Sequence, residues 1–382
     1  MILYDPALNI NFRDYGIMLP IVPDRGKQVL DFMNTHYYPG TRGKTFPYPG
    51  PVFSIADALE YLGITGGKTM PAEYSVITRE DLERVHSKEF IASLYDKNSN
   101  SLESALLTAF ELIDSRGRPN RYERQKAVRP LGDLFQTILA ETGGTYLACR
   151  LALAGGPAFC YYMGGGMHHA RYDCGSGFCL INDSVIAVTK LLSEFKLPLI
   201  WIIDLDVHKG DGSAELIHFA RRRGELQNPR QPDKTEKPCV LTLSIHMAKG
   251  WPLDAESLAI AEEGRAPLIA SDIDIGIDSG EEAEYTPQLA QGIKELENLS
   301  AALYPDRQKP DLVLVVDGAD PYEHDGLLSG NLLKLSLEQC QERDNYVYRY
   351  VMDRSIPSAW ILAGGYGERA WEPPAHFLMG VR

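Results

Sequence analysis

From residue 157 onward, short runs of consecutive apolar residues alternate with stretches of helical period. This is the pattern of a parallel sheet whose strands are buried on both faces and wrapped by helices. Five runs stand out, at 158–162, 199–203, 240–245, 312–316 and 359–362. Ahead of them the periodicity predicts helices over 27–33, 79–95 and 130–153. Thr78 caps the second of these, and Glu80 and Asp81 in its first turn suit the helix dipole. Residues 99–126 mix polar and apolar positions around Asp114-Ser115-Arg116-Gly117-Arg118-Pro119 and read as a surface loop. No repeat or Gly/Ser/Pro-rich linker divides the chain, so residues 1–382 read as a single α/β domain.

Residues capable of chemistry follow each run closely. They are GGGMHH at 164–169, DLDVHKGDG at 204–212, His246, DGAD at 317–320 and AGGYG at 363–367. Open α/β sheets bind their ligands outside the carboxyl ends of the strands, so five strand ends carrying His, Asp, His, Asp and Tyr point to one shared site. Asp206 and His208, two apart, project the same way if strand geometry persists and make a facial pair of metal ligands. Asp320, after another strand, is the natural third ligand, although alone it would equally suit a turn or a helix cap. Such an Asp/His/Asp set suits zinc and also admits ferrous iron or cobalt.

The tandem His168-His169 follows a glycine run that brings the backbone close to a ligand. Neutral or charged imidazoles there can move protons for a metal-activated water and a leaving amine. Asp204 and Asp211 flank the ligand motif, and each can orient one imidazole. Tyr366, between glycines after the last strand, is placed to donate to a developing oxyanion. Phe178 and Trp251 would rim the same crevice, although each alone would equally suit core packing.

A net charge of −14, from 38 Lys+Arg against 52 Asp+Glu, argues against a nucleic-acid partner bound through phosphates. Six cysteines without a CxxC pair read as buried thiols and favour a reducing compartment. The N-terminal stretch has neither a basic nor an apolar targeting region, and no run is long enough for a membrane span, so the cytoplasm is the expected location. The glycine runs lack the lysine of a phosphate loop and the dinucleotide spacing. Asp272, Asp274, Asp278, Glu281 and Glu282 lack calcium-loop spacing and read as a solvated face leading into a helix. His324 reads as a loop histidine, and His36, His86, His218 and His376 carry no assigned role.

These motifs resemble the histone deacetylase superfamily, which includes lysine deacetylases, bacterial acetylpolyamine amidohydrolases and acetoin-utilisation-type proteins. The likeness rests on GGGMHHARYDCGSGFCLIND at 164–183, IDLDVHKGDGSAE at 203–215, LSIH at 243–246, GAD and EHDGL within 318–327, and AGGYG at 363–367. Weaker likenesses at 84–94 and 143–153 extend it from about residue 20 to the end, in the manner of a bacterial member. The resemblance implies an arginase/deacetylase-like three-layer α/β/α fold with a mostly parallel central sheet of about eight strands.

It further implies zinc on Asp206, His208 and Asp320, and an acid/base pair His168 and His169 partnered by Asp204 and Asp211. Tyr366 falls on the catalytic tyrosine, and Gly177 and Phe178 on the acyl-lysine channel. Asp204, Asp206, His208 and Ser244 fall around a structural potassium ion (K+). Trp251 and Arg25 align loosely with channel and inner-cavity positions. The implied reaction is zinc (Zn2+)-dependent hydrolysis of an N-acyl, chiefly N-acetyl, amide on a lysine of a protein or peptide or on an acetylpolyamine. A two-metal ureohydrolase of the same fold and a non-catalytic acyl-binding module are the rivals. Lys209, Met167 and Cys174 depart from the pattern and bear on the channel mouth, and segment 99–126 lies where substrate choice is expected to be set.

Overall fold

The computed structural model describes the chain apart from residues 37–49, 65–75, 97, 115, 155–158, 227–237, 255–267, 308 and 382. Eight strands form one sheet: β1 (Ile2–Leu3), β2 (Val52–Phe53), β3 (Phe159–Tyr162), β4 (Ile200–Asp204), β5 (Val240–Met247), β6 (Ile273–Ile277), β7 (Leu312–Asp317) and β8 (Ser358–Leu362). Their order is β2-β1-β3-β8-β7-β4-β5-β6, and every neighbouring pair is parallel. The sheet is therefore wholly parallel rather than mostly so. The five apolar runs all became strands; Ala158 and Ser115 lie outside the described residues.

Alternation along the strands divides the core into two layers. Cys160, Ile200, Ile202, Leu312, Leu314 and Val316 face one side, packed with α6 (Leu134–Ala154) and α7 (Asp183–Glu194). Phe159, Tyr161, Trp201, Ile203, Val313 and Val315 face the other, against α9 (Tyr285–Leu303), α10 (Leu337–Asp353) and α11 (Glu372–Gly380). Helix α1 (Arg25–His36) joins the second layer through Val29 and Met33, and α2 (Ile55–Tyr61) joins the first through Ile55, Ala58 and Leu59. Apolar side chains on both faces explain why the strands read as unbroken apolar runs. A three-layer α/β/α architecture results.

The structure corrects three sequence expectations. The helix expected over 79–95 is two helices, α3 (Arg79–Glu83) and α4 (Lys88–Tyr95). Thr78 caps the first, as expected, and Asp81 returns the bond to the Thr78 amide. Ser87 starts the second by accepting from the Phe90 amide, and its own amide bonds to the Tyr172 carbonyl at 2.8 Å. The 99–126 segment is not all loop, because Ser101–Ala109 form α5 with Leu106 and Ala109 buried. Beyond it, a turn is closed by the Asp114 amide on the Arg118 carbonyl. The acidic stretch from Asp272 first carries strand β6 and only then leads, through Glu281 and Glu282, into α9 as expected. Asp272 pairs with Arg221 at 2.7 Å, Asp274 with Lys209, and Asp278 with Lys249 at 2.6 Å. Among the described residues no helix is long and apolar enough to cross a membrane.

Candidate active site

Strands β4 and β7 are hydrogen-bonded neighbours, so the residues beyond their carboxyl ends meet. Asp206 and His208 follow β4 and Asp320 follows β7, and all three are at most 4% exposed. His208 Nδ1 lies 3.2 Å from Asp206 Oδ1 and 3.2 Å from Asp320 Oδ2. Two donors bound tetrahedrally to one zinc would stand about 3.3 Å apart, so the three side chains already have the spacing of a ligand set. The remaining oxygens are anchored: Asp206 Oδ2 accepts from the Gly364 amide at 3.1 Å, and Asp320 Oδ1 from the Val207 amide at 3.0 Å. A Cβ on residue 364 would fall 2.3 Å from Asp206 Oδ2 and 2.4 Å from Asp320 Oδ2, so only glycine fits there. The buried donor set fits a divalent metal.

The histidine pair stands beside this cluster, its ring centroids 3.9 Å apart. His168 Nδ1 bonds Asp204 Oδ2 at 2.7 Å and His169 Nδ1 bonds Asp211 Oδ1 at 2.8 Å, which leaves the Nε2 atoms for chemistry. The two rings differ in charge. Burial disfavours the His168 cation, but Asp204 and Asp206 outweigh it and push the pKa up to about 10. Burial, then the nearby His168 and His208, hold His169 far below the ordinary histidine value, so it is neutral. Asp211 is pushed up to about 6 by burial and still accepts as a carboxylate at neutral pH. Burial, with Asp320 and Asp206 close by, keeps Tyr366 protonated far above its usual range.

His168, His169, Asp206, His208 and Tyr366 line one cavity of about 150 Å³. It continues inward to Arg25, whose guanidinium donates to the carbonyls of Leu362, Ala363, Gly364 and Gly365. On the outer side, Gly177, Phe178 and Trp251 line the mouth with Tyr366. The Phe178 and Tyr366 rings lie 6.2 Å apart, and Trp251 stands edge-on to His169 at 4.5 Å. Gly177 has φ +54°, and a Cβ there would meet Trp251 at 2.4 Å. Ser244 is the β5 register partner of Asp204 and accepts from the Gly210 amide. His246, grouped by sequence with the strand-end residues, does not line the cavity; its Nδ1 bonds the Met247 carbonyl and its Nε2 points towards Asp274.

The profile of the histone deacetylase domain matches residues 49–377. The chain belongs to the histone deacetylase family. An uncharacterized protein of Picosynechococcus is 30% identical over 249 residues, 64% of this chain and 69% of that protein. Histone deacetylase 2 of Arabidopsis thaliana is 26% identical over 78% of this chain and 62% of its own length. Histone deacetylase 6 of the same plant is 24% identical over 92% of this chain and 66% of itself. The match starts later than the likeness seen from about residue 20, yet residues ahead of it supply β1 and Arg25 to the histone deacetylase fold.

Several residues that hold this site escaped the sequence reading. Asp183, inside the quoted FCLIND motif, accepts from the Gly166 and Met167 amides and so fixes the turn before the histidine pair. Arg343 of α10 is 1% exposed and binds the Leu205 carbonyl at 3.1 Å, the Gly318 carbonyl at 2.9 Å and Asp317 at 2.8 Å. It thereby ties together the two strand ends that carry the metal-ligand candidates. Nothing local in the sequence marks it, because a helical arginine reads as surface. At the mouth, Glu111 pairs with Arg121 at 3.3 Å, and Arg121 sits over the Phe178 ring. Both lie in the segment where substrate choice was expected.

Proposed function

We propose that this chain hydrolyses an N-acyl amide, in the first instance an N-acetyl group on a lysine side chain or a related amine such as an acetylated polyamine. Asp206, His208 and Asp320 would hold one zinc ion. Bound there, zinc supplies a Lewis acid for the amide carbonyl and lowers the pKa of water. The observation that carries the reading is the histidine pair beside the three-residue donor cluster, each ring held at Nδ1 by its own carboxylate. Environments that push two adjacent groups apart in pKa assign an acid and a base. His169, neutral and held by Asp211, takes the proton of the attacking water through Nε2. His168 keeps its charge against Asp204 and steadies the negative charge that builds on the adduct. Tyr366, which holds its proton, donates to the carbonyl oxygen as it becomes an oxyanion. The proton taken by His169 then passes to the leaving amine.

Gly177, Phe178 and Trp251 would enclose the acylated chain on its way in, with the Glu111–Arg121 pair at the rim. A structural potassium ion would be shared by Asp204, Asp206, His208 and Ser244, Ser244 being the register partner of Asp204. His168, His169 and Asp206 also converge closely enough to hold an ion, so the number of bound metals separates this reading from a two-metal ureohydrolase.

The test is acyl release from an acetyl-lysine peptide and an acetylated polyamine by zinc-loaded protein, with Asp206→Ala as the blank and metal content measured in parallel. One zinc per chain with peptide turnover lost in the variant supports a lysine deacylase, and polyamine turnover alone moves the function to small-molecule metabolism. Two metals per chain, or silence on both substrates, overturns the reading.

A further inference from the structure

Tyr366 stands between Gly365, at φ +143°, and Gly367, at φ +82°. Glycines on both sides remove the backbone preference that would otherwise decide where the phenol points. The loop is gripped from outside instead. Arg25 donates to the carbonyls of residues 362–365, and the Gly367 amide donates to the Pro20 carbonyl at 2.6 Å. Neither contact reaches the peptide groups of Tyr366 itself.

Those groups are held by the turn that follows Asp320. Asp325 Oδ2 accepts from the Tyr366 amide at 2.6 Å, and the Gly326 amide donates to the Tyr366 carbonyl at 2.9 Å. The backbones pack closely enough that a Cβ on residue 326 would fall 3.2 Å from Gly367 Cα. The second oxygen of Asp325, Oδ1, accepts from the Leu327 amide at 2.8 Å. Leu327 and Tyr366 both line the mouth of the cavity, so one carboxylate spans two of its walls. Asp325 itself lines neither the cavity nor the mouth. Its own amide donates to the Tyr322 carbonyl at 2.8 Å, and the Tyr322 amide to the Ala319 carbonyl at 3.2 Å. A short hydrogen-bonded segment therefore joins the metal-ligand candidate Asp320 to the anchor of Tyr366.

We propose, resting on the donor role of Tyr366 in the hydrolysis proposed above, that Asp325 is a positioning residue that sets where the Tyr366 hydroxyl stands relative to Asp320. A donor aimed at a developing oxyanion helps only if it is already in place, and a displacement of about 1 Å can cost about 100-fold in rate. Of the contacts that hold the peptide groups of Tyr366, the one from Asp325 is made by a side chain and can be removed by substitution. Burial, then Asp320, push the Asp325 pKa up to about 8, yet the protonated acid keeps a carbonyl oxygen for the Tyr366 amide. The anchor needs an acceptor there rather than a charge.

Asp325→Ala removes the acceptor, and Asp325→Asn keeps a carbonyl oxygen without the charge. On the acetyl-lysine peptide or acetylated polyamine that wild type hydrolyses, Asp325→Ala should lower kcat about 10- to 100-fold with KM little changed. Asp325→Asn should recover most of that loss. In a Tyr366→Phe background, Asp325→Ala should cost less than about twofold further, because the hydroxyl it would misplace is gone. Equal losses in the two backgrounds, or an asparagine variant as slow as the alanine one, overturn the role. Should Asp325→Ala not fold, Asp325→Ser, too short to reach the amide, replaces it. Crystal structures of wild type and both variants give a readout without turnover: the Tyr366 ring should be displaced or split in Asp325→Ala and in place in Asp325→Asn. An unmoved ring in Asp325→Ala overturns the positioning role whatever the activity. A displaced ring in a chain that hydrolyses no acetylated amine upholds the anchor and overturns the hydrolase reading alone.

Discussion

His86 shows how a buried base is held in one protonation state. Its Nδ1 lies 2.7 Å from the Arg171 carbonyl, so it must donate, and its Nε2 accepts the Asn182 amide at 3.1 Å. A second proton would set a donor against the Asn182 donor, and burial pushes the pKa down to about 4. The unfolded chain holds this histidine near pKa 6.5 and so binds the proton first as pH falls. The stabilising contribution is therefore complete above about pH 6.5 and fades as the solution is acidified through pH 4, amounting to about 3 kcal/mol in all. Denaturant unfolding of wild type should weaken steadily over that window, and His86→Gln, although less stable, should lose this part of the slope. Equal slopes in the two proteins would show that other groups carry the acid sensitivity. Tyr366 makes the opposite use of burial, which keeps its proton in place for donation. Tyr366→Phe should lower kcat by about two to three powers of ten with KM little changed. An unaltered kcat would remove the hydroxyl from the mechanism.

At the scale of elements, the site depends on two parallel strands ending side by side, and the helix beyond them supplies the clamp. Arg343 joins the carbonyl of Leu205, next to Asp206, to that of Gly318, two residues before Asp320. Arg343→Met should fold yet let the two strand ends drift, weakening metal affinity by about 10- to 100-fold in chelator competition. A core variant of matched stability loss should leave that affinity in place; if both weaken it alike, Arg343 acts only as scaffold. The sequence disclosed the ligand candidates and not the clamp for a physical reason. Asp206, His208 and Asp320 stand within residues of long apolar runs, where local pattern carries the information, whereas Arg343 acts 138 positions from Leu205. The same limit hid β1 and β2, two residues each, which have no period to detect. In β6, Ile273-Asp274-Ile275 alternates as a strand should, but the acidic residues suggested solvent. Their partners, Arg221 and Lys209, come from α8 (Asp211–Arg222) and the loop before it, which only the fold brings near.

On the scale of the whole molecule, buried acid is concentrated at one edge of the sheet. Asp204, Asp206, Asp211 and Asp320 lie around three imidazoles in a chain of net charge −14. Without a metal, protonated His168 and His208 offset those carboxylates, with His208 raised to about 9 against burial by Asp206 and Asp320. A divalent ion must displace the His208 proton and in return relieves the carboxylate crowding between β4 and β7, so binding and folding are coupled. Zinc at a hundred times its dissociation constant should add about 2.7 kcal/mol to stability, which for a chain of this length raises the melting midpoint by about 3 °C. Because a proton leaves as the metal enters, the gain should shrink as pH is lowered from 8 to 6, and a chelator should abolish it. Asp206→Ala should show no zinc-dependent shift while keeping its own transition. A shift of the same size in that variant would place the stabilising zinc elsewhere on the molecule and detach the three side chains from the role proposed for them.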